Sequence, residues 1–227
     1  MVKSSPRLFH RGFTLIEVLV AVAIIAIIMA LAIPAFTRAL ERAKATKDIS
    51  NLRQIGLALQ TYLNDKDNVL PVINAAPGIG ADLTPVIYPN YIGKTRRVFQ
   101  SPFDRRPASE TDSAPVSYGI NQNIYDLVNG NMVKVVSPSS AILMAPSYNG
   151  NPTVSASWTG IATLAPTLAP GGGAGMTTGP QQNGRQINAL FCDLHVETMT
   201  FGPSTVLGSF KDYQSDPLGK KHWDPTQ

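Results

Sequence analysis

One carboxylate in this sequence stands where a charge is costly. Glu17 is followed directly by Val18–Phe36, a run that contains no formally charged side chain. A carboxylate at the centre of a bilayer costs about 2.5–3.5 kcal/mol on insertion scales, and less near an interface. Glu17 is therefore a candidate functional residue, and the alternative is a side chain that only reaches the lipid headgroups.

The other residues that could do chemistry form no recognisable catalytic pattern. Asp193 and His195 could be combined with a serine into a triad, but the sequence contains no G-x-S-x-G, H-E-x-x-H or P-loop motif. We therefore predict that the chain is not an enzyme. Asp193 and His195 are interpreted as a turn residue and an exposed polar side chain.

Carboxylates near the C-terminus raise the question of a metal. Asp212, Asp216 and Asp224 offer oxygen ligands, but they lack D-x-D-x-D spacing. Because Ca²⁺ needs six to eight oxygens, we expect solvated turn residues here, with calcium binding as the alternative. No other cofactor is expected.

The amino-acid composition excludes several further kinds of partner and site. The chain has 227 residues with 44% hydrophobic and 15% charged side chains and a net charge of +4. Lys3, Arg7 and Arg11 supply most of this surplus, so a nucleic-acid partner is not expected. The single cysteine, Cys192, excludes an intrachain disulfide and a cysteine-based zinc site.

The apolar run predicts a membrane-spanning helix. At ~1.5 Å rise per residue, a helix over Val18–Phe36 covers roughly 30 Å of hydrocarbon. The basic residues before it favour a cytoplasmic N-terminus, with the rest of the chain across the membrane. A secretory signal cut after Ala32 and a plain uncleaved anchor both fit these features, but neither accounts for Glu17.

The junction reads Arg11-Gly12-Phe13-Thr14-Leu15-Ile16-Glu17, and it resembles the signal of type IV pilins and type II secretion pseudopilins. The resemblance implies cleavage after Gly12 by a prepilin peptidase and N-methylation of Phe13. It also implies that Glu17 pairs with the Phe13 amine of an adjacent subunit, since a carboxylate buried in a filament needs a partner. Pro34 falls where that family often has a proline.

The same resemblance implies partners and a location. The partners are further copies of the chain, other pilin-like subunits, the peptidase, an assembly platform in the inner membrane, and membrane lipid before assembly. The chain would cross the cytoplasmic membrane once, with its head in the periplasm or exterior, and then join a filament.

Past the apolar run the pattern predicts that one helix continues from about Phe13 to Asn64. Pro34 lacks an N–H and clashes with the carbonyl of Ala30, so we expect a kink or local unwinding there. An apolar stripe at three- and four-residue steps comprises Ile49, Leu52, Ile55, Leu59, Tyr62 and Leu63. The opposite face is assigned the charged side chains Arg38, Glu41, Arg42, Lys44, Lys47, Asp48 and Arg53. We interpret that face as solvated, rather than as a surface for lipid phosphates or nucleic acid.

The rest of the chain predicts a β-rich head. Strands are expected at Ala141–Ala145, Asn188–Phe191 and His195–Thr200, shorter elements at Val98-Phe99 and Met132–Val136, and a loop at Ala165–Arg185. Three segments resemble a subgroup with a G-like pseudopilin head of the H-x9-DG type, namely Arg97–Asp104, Ser117–Asn121 and Asn188–Val196. Ser101 replaces the subgroup's cysteine, and Asn183 replaces its histidine. Leu194 replaces the glycine of an Asp-Gly turn, so we expect a longer or different turn there.

These observations predict an α+β, pilin-like fold in which a long N-terminal helix, first transmembrane and then amphipathic, packs on a small antiparallel β-sheet head. The expected division is a leader at 1–12, a transmembrane and assembly half-helix at 13–36, an amphipathic half at 37–64 and a head at 65–227. The expected function is a structural subunit of a type II secretion pseudopilus or a type IV pilus-like filament. The alternatives are a membrane-anchored binding module that does not polymerise and a secreted domain released near Ala32.

Overall fold

A computed structural model describes most of the N-terminal helix and the centre of the head. The described residues are 14–71, 84–88, 90–93, 95–104, 116–121, 123–146, 160–161, 186–200, 221–222 and 224–227. The loop expected at Ala165–Arg185 lies outside them. The chain divides into two compact units, one ending at Arg42 and the other beginning at Ala43.

The long helix, α1, begins at Leu15 and ends at Asp65, which confirms the predicted single helix. It stays helical through Ala30 and Pro34, so of the two outcomes expected at Pro34 the local unwinding does not occur in this structure, and the kink stays a prediction. The Asn68 N–H closes the C-terminus by donating to the Leu63 carbonyl at 2.9 Å. Asp67 and Asn68 have φ of 52° and 60°, the left-handed conformation that ends many helices.

The sheet has five strands, β1 (Tyr118–Asn121), β2 (Ile142–Pro146), β3 (Gly160–Ile161), β4 (Gln186–Phe191) and β5 (Val196–Thr200). Their order is β3-β1-β2-β4-β5. The pairs β1–β2, β2–β4 and β4–β5 are antiparallel, while the short β3 runs parallel to β1. The predicted α+β class is confirmed, and so are the strands expected around residues 141–145, 188–191 and 195–200.

Several short elements surround the sheet. They are the helices α2 (Thr84–Ile87) and α3 (Asn123–Val128) and two 3-10 helices, Arg96–Phe99 and Met132–Lys134. The two short elements expected at residues 98–99 and 132–136 are therefore single helical turns. Neither α2, α3, β1 nor β3 was expected as an element, because each is too short to show a period.

The core lies between α1 and one face of the sheet. Leu52, Ile55 and Leu59 are fully buried against it, as the apolar stripe predicts. Leu190 joins this cluster from β4, whereas its neighbour Ala189 belongs to a second cluster, as the two-residue period of a strand requires. A Cβ at Gly56 would lie only 3.1 Å from Cδ1 of Leu190, so glycine allows the close approach of helix and strand.

The β4–β5 turn confirms the expectation that the missing glycine changes the loop. The Phe191 N–H donates to the His195 carbonyl at 2.9 Å, which leaves Cys192–Leu194 as the loop between them. Leu194 takes φ of 71°. Three-residue hairpin loops have a left-handed residue at this position, which leucine adopts at a cost of about 1–2 kcal/mol.

Candidate functional site

The start of α1 is closed by a reciprocal pair of side-chain hydrogen bonds. The Thr14 N–H and hydroxyl each donate to Oε2 of Glu17 at 2.8 Å, and the Glu17 N–H donates to Oγ1 of Thr14 at 3.3 Å. This is a capping box, which satisfies N–H groups that the first helical turn leaves without partners. This capping box was not predicted from the sequence, although T-x-x-E directly before an apolar run is its usual signal.

Glu17 is thus held in place at the helix start while its side chain remains exposed. Negative charge is also favourable there, because the N-terminus of a helix carries a partial positive charge. Gly12 and Phe13, the residues of the expected cleavage and methylation site, lie outside the described residues. The pairing of Glu17 with a neighbour's amine stays a prediction.

The apolar part of α1 leaves its large side chains uncovered. Leu15 is 82% exposed, Leu31 73% and Phe36 70%, and the same holds for the other large apolar side chains between them. Among the described residues, α1 is the helix long and apolar enough to cross a membrane. Contiguous apolar surface of this kind marks a membrane or protein contact.

Pro34 lies within this exposed segment. The Thr37 hydroxyl donates to the Pro34 carbonyl at 3.0 Å, one turn further along the helix. Proline itself supplies no N–H to the carbonyl of Ala30. Pro34 therefore interrupts the hydrogen-bond ladder without ending the helix.

A second acid on α1 occupies the opposite environment. Asp48 is 0% exposed, so its assignment to the solvated face was wrong. The Tyr118 hydroxyl donates to its Oδ1 at 2.6 Å and the Asn188 amide to its Oδ2 at 2.8 Å. The Ser101 hydroxyl is a third donor. Asp48 lies four residues before Leu52 and seven before Ile55, which puts it on the apolar stripe.

Further hydrogen bonds hold the donors around Asp48. The Thr198 hydroxyl donates to Oδ1 of Asn188 at 2.7 Å, and the Asn188 amide also donates to the Ala45 carbonyl at 3.2 Å. The amide of Asn51 donates to the Gln100 carbonyl at 2.9 Å. Burial raises the pKa of Asp48 above its ordinary value of 3.8, while the three donors act in the opposite direction.

The Asp193–His195 pair forms part of a turn. Oδ1 of Asp193 accepts the His195 N–H at 3.1 Å and contacts Nδ1 of its ring. The ring stacks on Phe191 with centroids 4.4 Å apart, and its Nε2 lies 3.7 Å from Oε2 of Glu197. Burial, together with the Asp193 charge, raises the pKa of the Cys192 thiol to about 12, so that this thiol is not an activated nucleophile.

Asp224 is the calcium candidate that the structure describes. Its Oδ1 accepts from the Thr226 N–H at 2.9 Å and from the Thr226 hydroxyl at 2.6 Å. Its Oδ2 accepts from the Gln227 amide at 2.9 Å. Asp212 and Asp216 lie outside the described residues, and within those residues no group of three or more His, Cys, Asp or Glu side chains could hold a metal.

Comparison with known proteins identifies the class to which the N-terminal segment belongs. Residues 8–33 match the family model described as the prokaryotic N-terminal methylation motif. Over 58 residues the chain is 41% identical to the type IV major pilin protein PilA of Myxococcus xanthus (strain DK1622). That alignment covers 26% of this chain and 26% of the relative. No solved structure matches the chain.

The chain thus carries an N-terminal methylation motif at the start of an uncovered apolar helix, and over 58 residues it is similar to a type IV major pilin. That the chain is a structural subunit rather than an enzyme stays a prediction. The matches do not distinguish the pseudopilin subgroup.

Proposed function

We propose that the chain is a structural subunit of a pilus-like filament, either a type IV pilus or a type II secretion pseudopilus. The precursor inserts in the cytoplasmic membrane with its basic start inside. A prepilin peptidase cuts after Gly12, and the new N-terminal Phe13 is methylated. An inner-membrane platform then brings copies of the chain, and other pilin-like subunits, together.

The observation that carries this proposal is the combination of an uncovered apolar helix with a fixed carboxylate at its start. Removing apolar surface from water is favourable by about 25 cal/mol per Å². Lipid and a bundle of sister helices both provide this gain. Apolar contact alone therefore does not choose an alignment between neighbouring helices. A charged group at one defined position does, because a misaligned helix would bury it without a partner.

Glu17 is suited to this role because the groups that donate hydrogen bonds to its carboxylate belong to the same chain. The Thr14 hydroxyl and N–H hold the carboxylate in the separate subunit. Cleavage after Gly12 would create an α-amine with an ordinary pKa of about 7.7–8.0, cationic at neutral pH. Pairing of Glu17 with that amine on a neighbour would replace a local contact by one between subunits.

The N-terminal residue of the membrane-associated protein tests the proposal. Mass spectrometry of the purified full chain should find Phe13 carrying one methyl group. Replacement of Gly12, as Gly12→Leu, should leave the precursor intact and serves as the control for the cleavage site. Ile33 at the N-terminus would instead indicate a secreted domain, and an intact leader without cleavage would indicate a non-polymerising anchored module.

The location of the assembled filament distinguishes a type IV pilus from a type II secretion pseudopilus. A type IV pilus should be recovered by shearing intact cells. A secretion pseudopilus should leave little sheared material, while deletion of the chain should block export of secreted proteins.

A further inference from the structure

The buried carboxylate of Asp48 joins parts of the chain that are far apart in sequence. Its donors are Ser101, Tyr118 and Asn188, and they belong to three separate segments of the head. These are the three segments that resemble a G-like pseudopilin head. All of them therefore meet at one residue of α1, although nothing in their similarity to that subgroup involves the helix.

The chemistry of this cluster requires one placement of the helix. Each donor is uncharged, and a carboxylate offers up to about four acceptor sites, so the three hydrogen bonds lie within its capacity. A slip of α1 by one turn, about 5.4 Å, would separate the buried carboxylate from its three donors and break these hydrogen bonds. Each unsatisfied buried group costs about 1–3 kcal/mol, and more when charged.

The apolar stripe alone does not distinguish one alignment of α1 from an alignment slipped by one turn. Leu52, Ile55 and Leu59 are similar in size, so that at these three positions a one-turn slip would exchange one aliphatic side chain for another, and among the apolar contacts Gly56 against Leu190 is the one that opposes it. Volume-conserving swaps of this kind usually cost less than about 1.5 kcal/mol. Fixing the register between packed helices is the best-attested role of a polar group buried in an apolar interface.

We propose that Asp48 is the positioning residue that fixes the register of α1 on the sheet of the head. The inference is independent of filament assembly, because it concerns contacts within the unit that begins at Ala43. Apolar burial supplies most of the attraction between helix and sheet, and Asp48 selects one alignment among those that apolar burial allows.

Gly56 and Leu194 provide a reporter of that alignment. A Cβ at Gly56 would lie 3.8 Å from Cβ of Leu194, which is the mean separation in disulfides. The double replacement Gly56→Cys with Leu194→Cys, made in a Cys192→Ser background, should therefore crosslink under mild oxidation. The measurement uses the full chain in detergent.

Two further pairs give the controls. Gln60 lies one turn beyond Gly56 and is exposed, so Gln60→Cys with Leu194→Cys should crosslink only when the helix slips. Leu57 is 64% exposed and points away from the core, so Leu57→Cys with Leu194→Cys reports general unfolding. Comparison of the three crosslinking rates distinguishes a helix that has slipped along the sheet from a helix that has unfolded or left the sheet.

The test adds Asp48→Leu to each pair, with exposed Lys47→Leu as the matched control. We expect the Gly56 crosslink to form at least fivefold more slowly and the Gln60 crosslink to rise, with the Leu57 pair unchanged. Lys47→Leu should change none of the three rates. Wild-type rates for all pairs in Asp48→Leu, or an equal rise of the Gln60 and Leu57 pairs, would overturn the proposal.

A milder variant covers the case in which Asp48→Leu does not fold. Ser101→Ala with Tyr118→Phe removes two donors and leaves the aliphatic packing in place. The Gln60 crosslink should again rise relative to the Leu57 pair. An unchanged ratio between these two pairs in that variant would also overturn the proposal.

Discussion

The two acids on α1 have the same chemistry and opposite surroundings. Glu17 is exposed at the start of the helix and is held by one residue of the same turn. Asp48 is fully buried and is held by residues from three distant segments. The first acid therefore remains accessible at the surface, whereas the second is committed to contacts inside the head.

The surrounding apolar residues differ in the same way. Leu31 is 73% exposed, while Leu59 is 0% exposed on the same helix. Hydrophobicity at helical spacing thus occurs once on an exposed surface and once in the core of the head. Substitutions in the two halves should therefore affect different measurements.

The largest difference is expected between Asp48→Leu and Glu17→Val. Asp48→Leu removes the acceptor that three buried donors share and should lower the free energy of unfolding of the head by about 4 kcal/mol. Glu17→Val should change it by less than about 0.5 kcal/mol. Denaturant unfolding in detergent, followed by near-ultraviolet circular dichroism, measures both. Equal effects of the two variants would remove the distinction between the acids.

A second comparison truncates one leucine in each half. Leu59→Ala should cost about 3 kcal/mol of unfolding free energy, because it opens a cavity in the core. Leu31→Ala should leave that free energy within about 0.5 kcal/mol of wild type. The same denaturant titration applies, and a large loss in Leu31→Ala would show that this segment is part of the folded core.

A third comparison removes one hydroxyl donor from each acid. Tyr118→Phe keeps the buried ring and should lower the unfolding free energy of the head by about 2 kcal/mol, since it deletes a hydrogen bond to a charged group. Thr14→Val removes the capping hydroxyl of Glu17 and should change that free energy by less than about 0.5 kcal/mol. A neutral Tyr118→Phe would mean that this hydrogen bond adds nothing to stability.

The smallest effect concerns pH. Burial raises the pKa of Asp48 above 3.8, so the folded state binds this proton more tightly than the unfolded state does. The contribution of Asp48 to stability should therefore increase as pH falls through the raised pKa towards 3.8, and stay constant above it. The difference in unfolding free energy between wild type and Asp48→Asn isolates this contribution from other titrating groups. A difference that decreases as pH falls would contradict the raised pKa.

The long helix, the strands around residues 142–146, 186–191 and 196–200, and the altered turn at Leu194 could all be predicted from the sequence. Their signals are local: apolar periodicity, alternation along strands and a missing glycine. The 3-10 helices and β1 carry no period of their own, so their form depends on contacts with the rest of the head.

Asp48 was misassigned for an identifiable reason. Its charge suggested the solvated face, while its spacing from Leu52 and Ile55 already placed it on the buried stripe. The charge of Asp48 and its spacing give opposite predictions. The donors that make its burial possible, Ser101, Tyr118 and Asn188, lie more than fifty residues away in sequence. Sequence pattern along the helix cannot reveal them.

We propose that α1 assembles copies of this chain and that Glu17 sets the alignment between them. The most direct measurement is the amount of sedimentable filament from cells that carry Glu17→Gln, compared with wild type and with Thr14→Ser, which keeps the capping hydroxyl. We predict that all three proteins begin at Phe13, that Thr14→Ser yields wild-type amounts, and that Glu17→Gln yields at least tenfold less filament. Wild-type amounts of filament from Glu17→Gln would contradict the account.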